Sequence, residues 1–188
     1  MKLLMFIMSM LPMFKAPTSS MSWAVAKESS VSITGSSNVN NFVFSSKEYI
    51  GNDTLVVYQK AKGERFFFEK GLLQLPVKNF KNGNPMLNRD FKKTLKASKY
   101  PNILMNFRSV TGLQHNSEAE VDISLAGKTR TVCIKLVNVT KNNIMYIKGK
   151  ERLKFSDFGL KPPKKVLGFI DVKNELDVEF SIVLKEVK

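Results

Sequence analysis

The sequence predicts an all-β protein: a closed antiparallel β-barrel of about eight strands, with one short helix between strands. Most segments alternate apolar with polar residues at a period of two, which is typical of strands with one buried face. Helical spacing occurs only in residues 87–107. The number and one-sided polarity of the strands favour closure, because closure removes exposed sheet edges. With 188 residues, 43% of them hydrophobic, the chain suits one domain.

The first residues are typical of a secretory signal peptide. Lys2 gives a positive start, and residues 3–14 form an apolar run shorter than the roughly 20 residues that a membrane-spanning helix needs. Ala24-Val25-Ala26 has the small-x-small form of a cleavage site. We therefore predict a signal peptide over residues 1–26 and a barrel domain over residues 27–188. We therefore expect the mature protein to be secreted.

The first strands are predicted over residues 29–34 and 39–45, with turn residues 35–38 between them. Phe42 and Phe44 lie two residues apart in the second of these strands. They therefore share a face.

The next strands are predicted over residues 55–58 and 64–75. In the triplet Phe66-Phe67-Phe68, two rings must point to one face and Phe67 to the other. Residues 79–85 are interpreted as a loop that leads into the helix.

The helix is predicted over residues 88–98, where Asn88 or Asp90 can act as the N-cap. Phe91 and Leu95 are four residues apart, so they share one face. The proline that follows ends the helix. One short helix set against many strands is typical of a lid, and we interpret it as closing over the barrel.

The second half of the chain has the clearest alternation. Residues 119–125 form a hairpin with the strand that follows the Gly127-Lys128 turn, and Asn142-Asn143 makes the next turn. The last strand covers residues 176–184. The single cysteine, Cys133, lies in an apolar run and is expected to be a small buried residue.

Four segments occur together in the order and spacing of the YceI-like family, and the chain resembles this family over residues 29–184. The segments are residues 35–42 (GSSNVNNF), 99–103 (KYPNI), 125–130 (LAGKTR) and 155–160 (FSDFGL). The resemblance implies a lipocalin-like barrel that binds polyisoprenoid or similar lipids in an apolar pore and is exported to the periplasm. Many members carry a histidine after an Arg-Asp pair, where this chain has Phe91-Lys92-Lys93.

The residues expected to line the pore are the large apolar residues on the inward faces. They are Phe42, Phe44, Phe91, Leu95, Ile103, Met105, Phe107, Ile123, Ile134, Phe158 and Phe180. The alternative is that these side chains fill the barrel as an ordinary core. Burial contributes about 0.8 kcal/mol per methylene while association costs about 4–15 kcal/mol, so the ligand is expected to be a long prenyl or acyl chain.

The sequence offers no residues for catalysis, and neither an enzyme nor a cofactor or metal is expected. His115 is the only histidine and has no second ligand or nucleophile near it in sequence. Asp157 is interpreted as a turn residue. The predicted function is that of a non-catalytic carrier or storage protein for a long-chain isoprenoid or other lipid.

The formal net charge of +14 points to an anionic partner. The alternative function is therefore a basic surface that binds polyanions or anionic membranes, with lysines such as Lys92, Lys93, Lys164 and Lys165 making the contacts. Nucleic acid is not expected, since the aromatic residues alternate with aliphatic ones rather than with basic ones. The sequence leaves the oligomeric state open.

Overall fold

The computed structural model describes residues 20–59, 65–113, 116–165 and 170–187. Within these residues the chain forms twelve β-strands, one α-helix and two short 3₁₀ turns. The strands are β1 Ser20–Val25, β2 Ser30–Ser37, β3 Asn41–Ser46, β4 Thr54–Gln59, β5 Arg65–Lys70, β6 Leu72–Pro76, β7 Asn102–Thr111, β8 Asn116–Leu125, β9 Lys128–Lys141, β10 Ile144–Lys154, β11 Lys164–Lys165 and β12 Ile170–Val187. The helix is α1 Pro85–Thr94, and the 3₁₀ turns are Val77–Asn79 and Phe155–Phe158.

Eight of the strands close into an antiparallel ring. The ring runs β1-β4-β5-β7-β8-β9-β10-β12 and returns to β1. The closing contact joins the first strand to the last, with Val25 opposite Leu184. The predicted fold class, an antiparallel barrel of eight strands with one helix, is confirmed.

Two strands change partner along their length. The end of β12, residues 184–187, pairs with β1, whereas residues 172–181 pair with β2. At the change, the Val183 amide donates to Ser29 Oγ at 2.9 Å. Strand β7 likewise pairs with β5 at one end and with β6 at the other. The barrel therefore has a closed ring at one end and a second end bounded by β3 and β6.

The chain that follows β6 connects β3 and β6 at this second end, which we call the mouth. Ser45 and Lys81 form an isolated antiparallel bridge, with backbone hydrogen bonds of 2.9 and 3.0 Å. Asn82 Nδ2 donates to the Val43 carbonyl at 2.8 Å. These contacts hold α1 at the mouth, so the predicted position of the helix over one end of the barrel is confirmed.

The helix begins earlier than the sequence analysis predicted. Its N-cap is Asn84, whose side chain accepts from the Met86 amide at 2.8 Å, and Pro85 occupies the first helical position. The Asn88 side chain instead bonds to the backbone of Asn82. The predicted cap at Asn88 or Asp90 is therefore wrong. The stronger start signal is an N-cap asparagine followed by proline, Asn84-Pro85, which lies in the predicted loop of residues 79–85.

The burial pattern confirms the Phe66–Phe68 prediction and corrects the one for Cys133. Phe66 and Phe68 pack against the core, while the Phe67 ring lies 6.0 Å from that of Tyr58 on the outer face. Cys133 is exposed. It falls between two inward-facing residues of β9, so the strand alternation turns it to the outside despite its apolar neighbours.

The predicted hairpin turns are confirmed with one shift. The β8–β9 turn is Ala126-Gly127, one residue before the predicted pair, and both residues have positive φ (51° and 82°). Asn142 and Asn143 connect β9 and β10, also with positive φ (51° and 58°). Positive φ at both positions is the two-residue hairpin geometry that matches the twist of the strands.

Strand β1, Ser20–Val25, belongs to the barrel although it lies before residue 27. Strand β1 pairs with both β4 and β12, and its Trp23 and Val25 are only 8% and 7% exposed. In the motif Ala24-Val25-Ala26, Val25 and Ala26 are buried and Ala24 is half-buried. The predicted apolar run of residues 3–14 lies outside the described residues.

In the described part of the chain, no helix combines the length and the apolar character that crossing a membrane would require.

Candidate ligand cavity at the mouth of the barrel

An inner cavity lies inside the barrel beneath α1. Its volume is about 40 Å³, and its lining is apolar apart from Lys154. The lining residues are Val31, Ile33, Leu75, Phe80, Phe91, Leu95, Ile103, Met105, Ile123, Leu125, Leu153, Lys154, Phe158, Leu176 and Val178. The space is narrow, because large side chains such as Phe80 and Phe158 are almost fully buried around it. A chain that enters must move side chains aside.

A second space, the mouth groove, opens outside this cavity and has a volume of about 190 Å³. It lies between the β2–β3 turn, helix α1 and the start of β12. The groove is lined by Ser37, Val39, Asn40, Phe42, Phe44, Asn84, Leu87, Asp90, Phe91, Thr94, Phe155, Pro163, Ile170 and Val172. A mostly apolar lining with a few polar groups is the composition typical of small-molecule sites.

Phe91 lines both the inner cavity and the mouth groove. Its ring stacks on Phe44, with centroids 4.2 Å apart and planes inclined by 19°, and lies 6.0 Å from Phe80. Phe42 meets Phe44 edge-on at 5.8 Å. We call Phe42, Phe44, Phe80 and Phe91 the aromatic cluster. Phe91 is half-buried and projects from one short helix, so moving it would join the two spaces.

The structure brings most of the predicted pore residues together. The inner cavity is lined by six of them: Phe91, Leu95, Ile103, Met105, Ile123 and Phe158. Phe42 and Phe44 line the mouth groove. Phe91 and Leu95 share one face of the helical segment, as their spacing predicts, and Leu95 is the deeper of the two at 2% exposure.

The other three predicted residues lie away from the mouth. Phe107 lines a separate apolar space of about 30 Å³ toward the ring end, together with Trp23 and Leu136. The Phe180 ring meets that of Phe107 edge-on at 6.5 Å. Ile134 is buried to 1% exposure in the core. Contact between a ligand and any of the eleven residues stays a prediction.

Sequence reasoning missed several residues of the two spaces. Phe80 is 1% exposed and lines the inner cavity, but it follows a 3₁₀ turn and has no periodicity to reveal it. Leu87 lies one residue before the predicted helix, so the helical spacing does not include it. Val31 and Ile33 could have been found, since they alternate with polar residues in β2.

Several polar groups outside these spaces have structural partners. The Asp157 carbonyl, in the 3₁₀ turn, accepts from Arg130 Nε at 2.8 Å, which agrees with the turn interpretation. The Tyr49 hydroxyl donates to Asp53, and burial followed by this hydrogen bond raises the pKa of Tyr49 well above its usual value. Asp53 also accepts from the Gln74 amide at 3.1 Å. This network holds the loop between β3 and β4 against β6.

Within residues 20–59, 65–113, 116–165 and 170–187, no three His, Cys, Asp or Glu side chains come together in a way that could hold a metal ion. His115 lies outside the described residues.

An antiparallel barrel with an apolar interior and a helix across its mouth defines a lipocalin-like barrel protein. The sequence also identifies the family: the family model for the YceI-like domain matches residues 19–184. The chain belongs to the YceI-like family.

Solved structures show the same fold at low sequence identity. A polyisoprenoid binding domain from Saccharophagus degradans, implicated in plant cell wall breakdown, has a TM-score of 0.61 and 11% identity, covering 88% of this chain and 98% of that one. Burkholderia cenocepacia BcnA gives 0.56 and 15%, covering 82% and 95%. A YCEI protein of Campylobacter jejuni gives 0.55 and 12%, covering 71% and 80%. No curated protein matches this sequence.

Proposed function

We propose that this protein is an exported, non-catalytic carrier that holds a long apolar chain, a polyisoprenoid or another lipid, between the mouth groove and the inner cavity. The observation that carries the proposal is the position of Phe91, which borders an open groove on one side and an apolar cavity on the other. Membership of the YceI-like family and the likeness to a polyisoprenoid binding domain support the same ligand class.

The shape of the two spaces favours a chain over a compact ligand. The groove is wide and the inner cavity is narrow. A thin, flexible hydrocarbon chain fits a groove that leads into a narrow cavity better than a ring system does. The polar side chains Ser37, Asn40, Asn84, Asp90 and Thr94 lie in the groove. A polar end group would therefore stay at the mouth while the chain enters the barrel.

We predict that organic extracts of the natively purified protein contain a long-chain lipid. Val178 lines the inner cavity from β12, so Val178→Phe should fill part of it and remove most of the bound lipid. Mass spectrometry of the extracts measures this loss. Val187→Phe, at a 46% exposed position of the same strand, is the control and should retain the lipid. Equal lipid content in all three proteins, with all three folded, would contradict the proposed cavity.

Export predicts a processed N-terminus, and the position of β1 narrows where processing can occur. Cleavage after Ala26 would remove a strand that pairs with β4 and β12 and would open the ring. We therefore expect N-terminal sequencing of protein from the native host to begin between Lys15 and Ser20. A mature chain that starts at Lys27, or one that keeps Met1 and stays in the cytoplasm, would contradict this.

The alternative function is a basic surface that binds polyanions around a barrel filled by its own side chains. Two observations favour it: the net charge of +14 and the narrow inner cavity. In that case the extracts contain no lipid, and the wild type and Val178→Phe both bind heparin in a salt-dependent manner.

A further inference from the structure

We propose that the mouth of the barrel is a docking surface for anionic phospholipid bilayers, with Val39 and Met86 entering the lipid interface on the two sides of the mouth groove. We call these two residues the rim pair. The inference rests on the proposed function, because a carrier of apolar chains has to load and unload at a membrane. It adds which face of the protein meets the bilayer and which residues make the contact.

The rim pair is exposed and apolar at the opening itself. Val39 is 64% exposed in the β2–β3 turn and lines the groove. Met86 is 61% exposed in the first turn of α1, next to the groove residue Leu87. Single exposed apolar residues are common on protein surfaces. Here the two exposed apolar residues project from separate elements that flank the same apolar opening, so both would meet a surface that covers this opening.

Cations surround the helical half of the rim. Met86, Arg89 and Lys93 are spaced at i, i+3 and i+7, so they lie on one face of α1, and all three are exposed. Leu87 and Phe91 instead line the groove. An apolar side chain flanked by cations is the arrangement that interfacial helices use, with the apolar group among the acyl chains and the cations at the phosphates.

Two acidic residues, Asp90 and Asp171, lie near the mouth. Asp90 faces into the groove rather than along the outer face of α1. Asp171 lies beside the β2–β3 turn, where its amide donates to Asn38 Oδ1 at 3.0 Å and its carbonyl accepts from the Asn38 amide at 3.1 Å. The chain as a whole carries +14, so attraction to an anionic surface acts before the rim touches it. Docking by the mouth lets an apolar chain pass from bilayer to groove without crossing water.

The test measures binding to vesicles made of equal parts phosphatidylglycerol and phosphatidylcholine. We expect Val39→Ser with Met86→Ser to weaken sedimentation with these vesicles by at least about tenfold, through loss of apolar insertion. Arg89→Gln with Lys93→Gln should weaken it by roughly 25-fold at low salt and leave binding to pure phosphatidylcholine unchanged. Salt should reduce vesicle binding without removing lipid already held in the barrel.

The matched control is Ile50, which is 72% exposed in the loop after β3, at the far end of that strand from Val39. Ile50→Ser should bind vesicles like the wild type. Met86→Trp should give a protein whose added tryptophan shifts its fluorescence to the blue when vesicles are present, whereas the tryptophan of Ile50→Trp should show no shift. The single native tryptophan, Trp23, is buried and gives a constant background.

The outcomes separate this inference from the carrier function. If Val39→Ser with Met86→Ser binds like the wild type, or if Ile50→Ser loses as much, the docking proposal is wrong, even when lipid co-purifies. If heparin competes with vesicles and the rim pair has no effect, the surface binds polyanions and the proposal is also wrong. If binding depends on the rim pair but no lipid is found in wild-type extracts, docking stands and the carrier function fails.

Discussion

Leu95→Ala is expected to destabilise the barrel by about 2–5 kcal/mol, the range for removing a buried leucine from a core. Leu95 is 2% exposed and lines the inner cavity at the C-terminal end of α1. From their four-residue spacing alone, Phe91 and Leu95 would be expected to contribute equally to the lid. Their burial separates them, because Leu95 belongs to the core as well as to the cavity wall.

Phe91→Ala is expected to act on the ligand more than on the fold. Phe91 is half-buried, so its truncation should cost roughly 2 kcal/mol, less than a fully buried phenylalanine. It also removes the ring that stacks on Phe44 and lies between the groove and the inner cavity. Bound lipid should then leave faster, since most changes in affinity appear in the dissociation rate.

Denaturant unfolding and lipid release, measured on the same proteins, test this division. Phe67→Ala is the matched control, because Phe67 lies on the outer face of β5 beside Tyr58. It should keep its lipid and its release rate. If Phe91→Ala releases lipid at the wild-type rate, the helix is not a lid. If no lipid is found in any of these proteins and Phe91→Ala only lowers stability, the barrel is filled by its own side chains.

Gly71→Ala is expected to be the most destabilising single substitution between β5 and β6, by at least about 3 kcal/mol. A Cβ at this position would lie 2.0 Å from the Phe107 carbonyl oxygen and 2.9 Å from its carbonyl carbon. The Phe107 amide already donates to the Gly71 carbonyl at 2.9 Å. The two backbones therefore cannot separate without losing this hydrogen bond, at the point where β7 changes partner from β5 to β6.

Gly83→Ala provides the control, since a Cβ there meets no atom within 4 Å. It should be neutral or slightly stabilising through the unfolded chain. Thermal unfolding of the two variants measures the difference. Equal melting temperatures would show that β6 and β7 adjust freely and that the close approach at Gly71 contributes nothing to stability.

Local pattern was enough to predict the barrel and much of its cavity. Alternation in β8, β9 and β12 fixes which side chains face inward, and closure follows from the number of one-sided strands. Ile103, Met105 and Ile123 line the inner cavity as their alternation indicates. The same rule, applied strictly, would have turned Cys133 outward; its apolar neighbours misled the prediction.

The remainder depends on contacts between distant parts of the chain. Nothing local shows that Phe80 is buried, because its position comes from the Ser45–Lys81 bridge that holds its loop against β3. The division of the interior into an inner cavity and a mouth groove depends on where the Phe91 ring lies relative to Phe44. The role of Ser20–Val25 as a strand is set by its partners β4 and β12, which lie far along the sequence.

The closing contact between β1 and β12 has a consequence for how the chain folds. Ser29 and Val183, which bond at the junction, are 154 positions apart, and the ring itself joins the first described strand to the last. Contacts of such high sequence separation form slowly, since most of the loop entropy has to be lost first. The ring therefore cannot close until the C-terminal strand has been synthesised. Until then the side of β1 that pairs with β12 in the finished barrel is an exposed sheet edge, open to pairing with other strands.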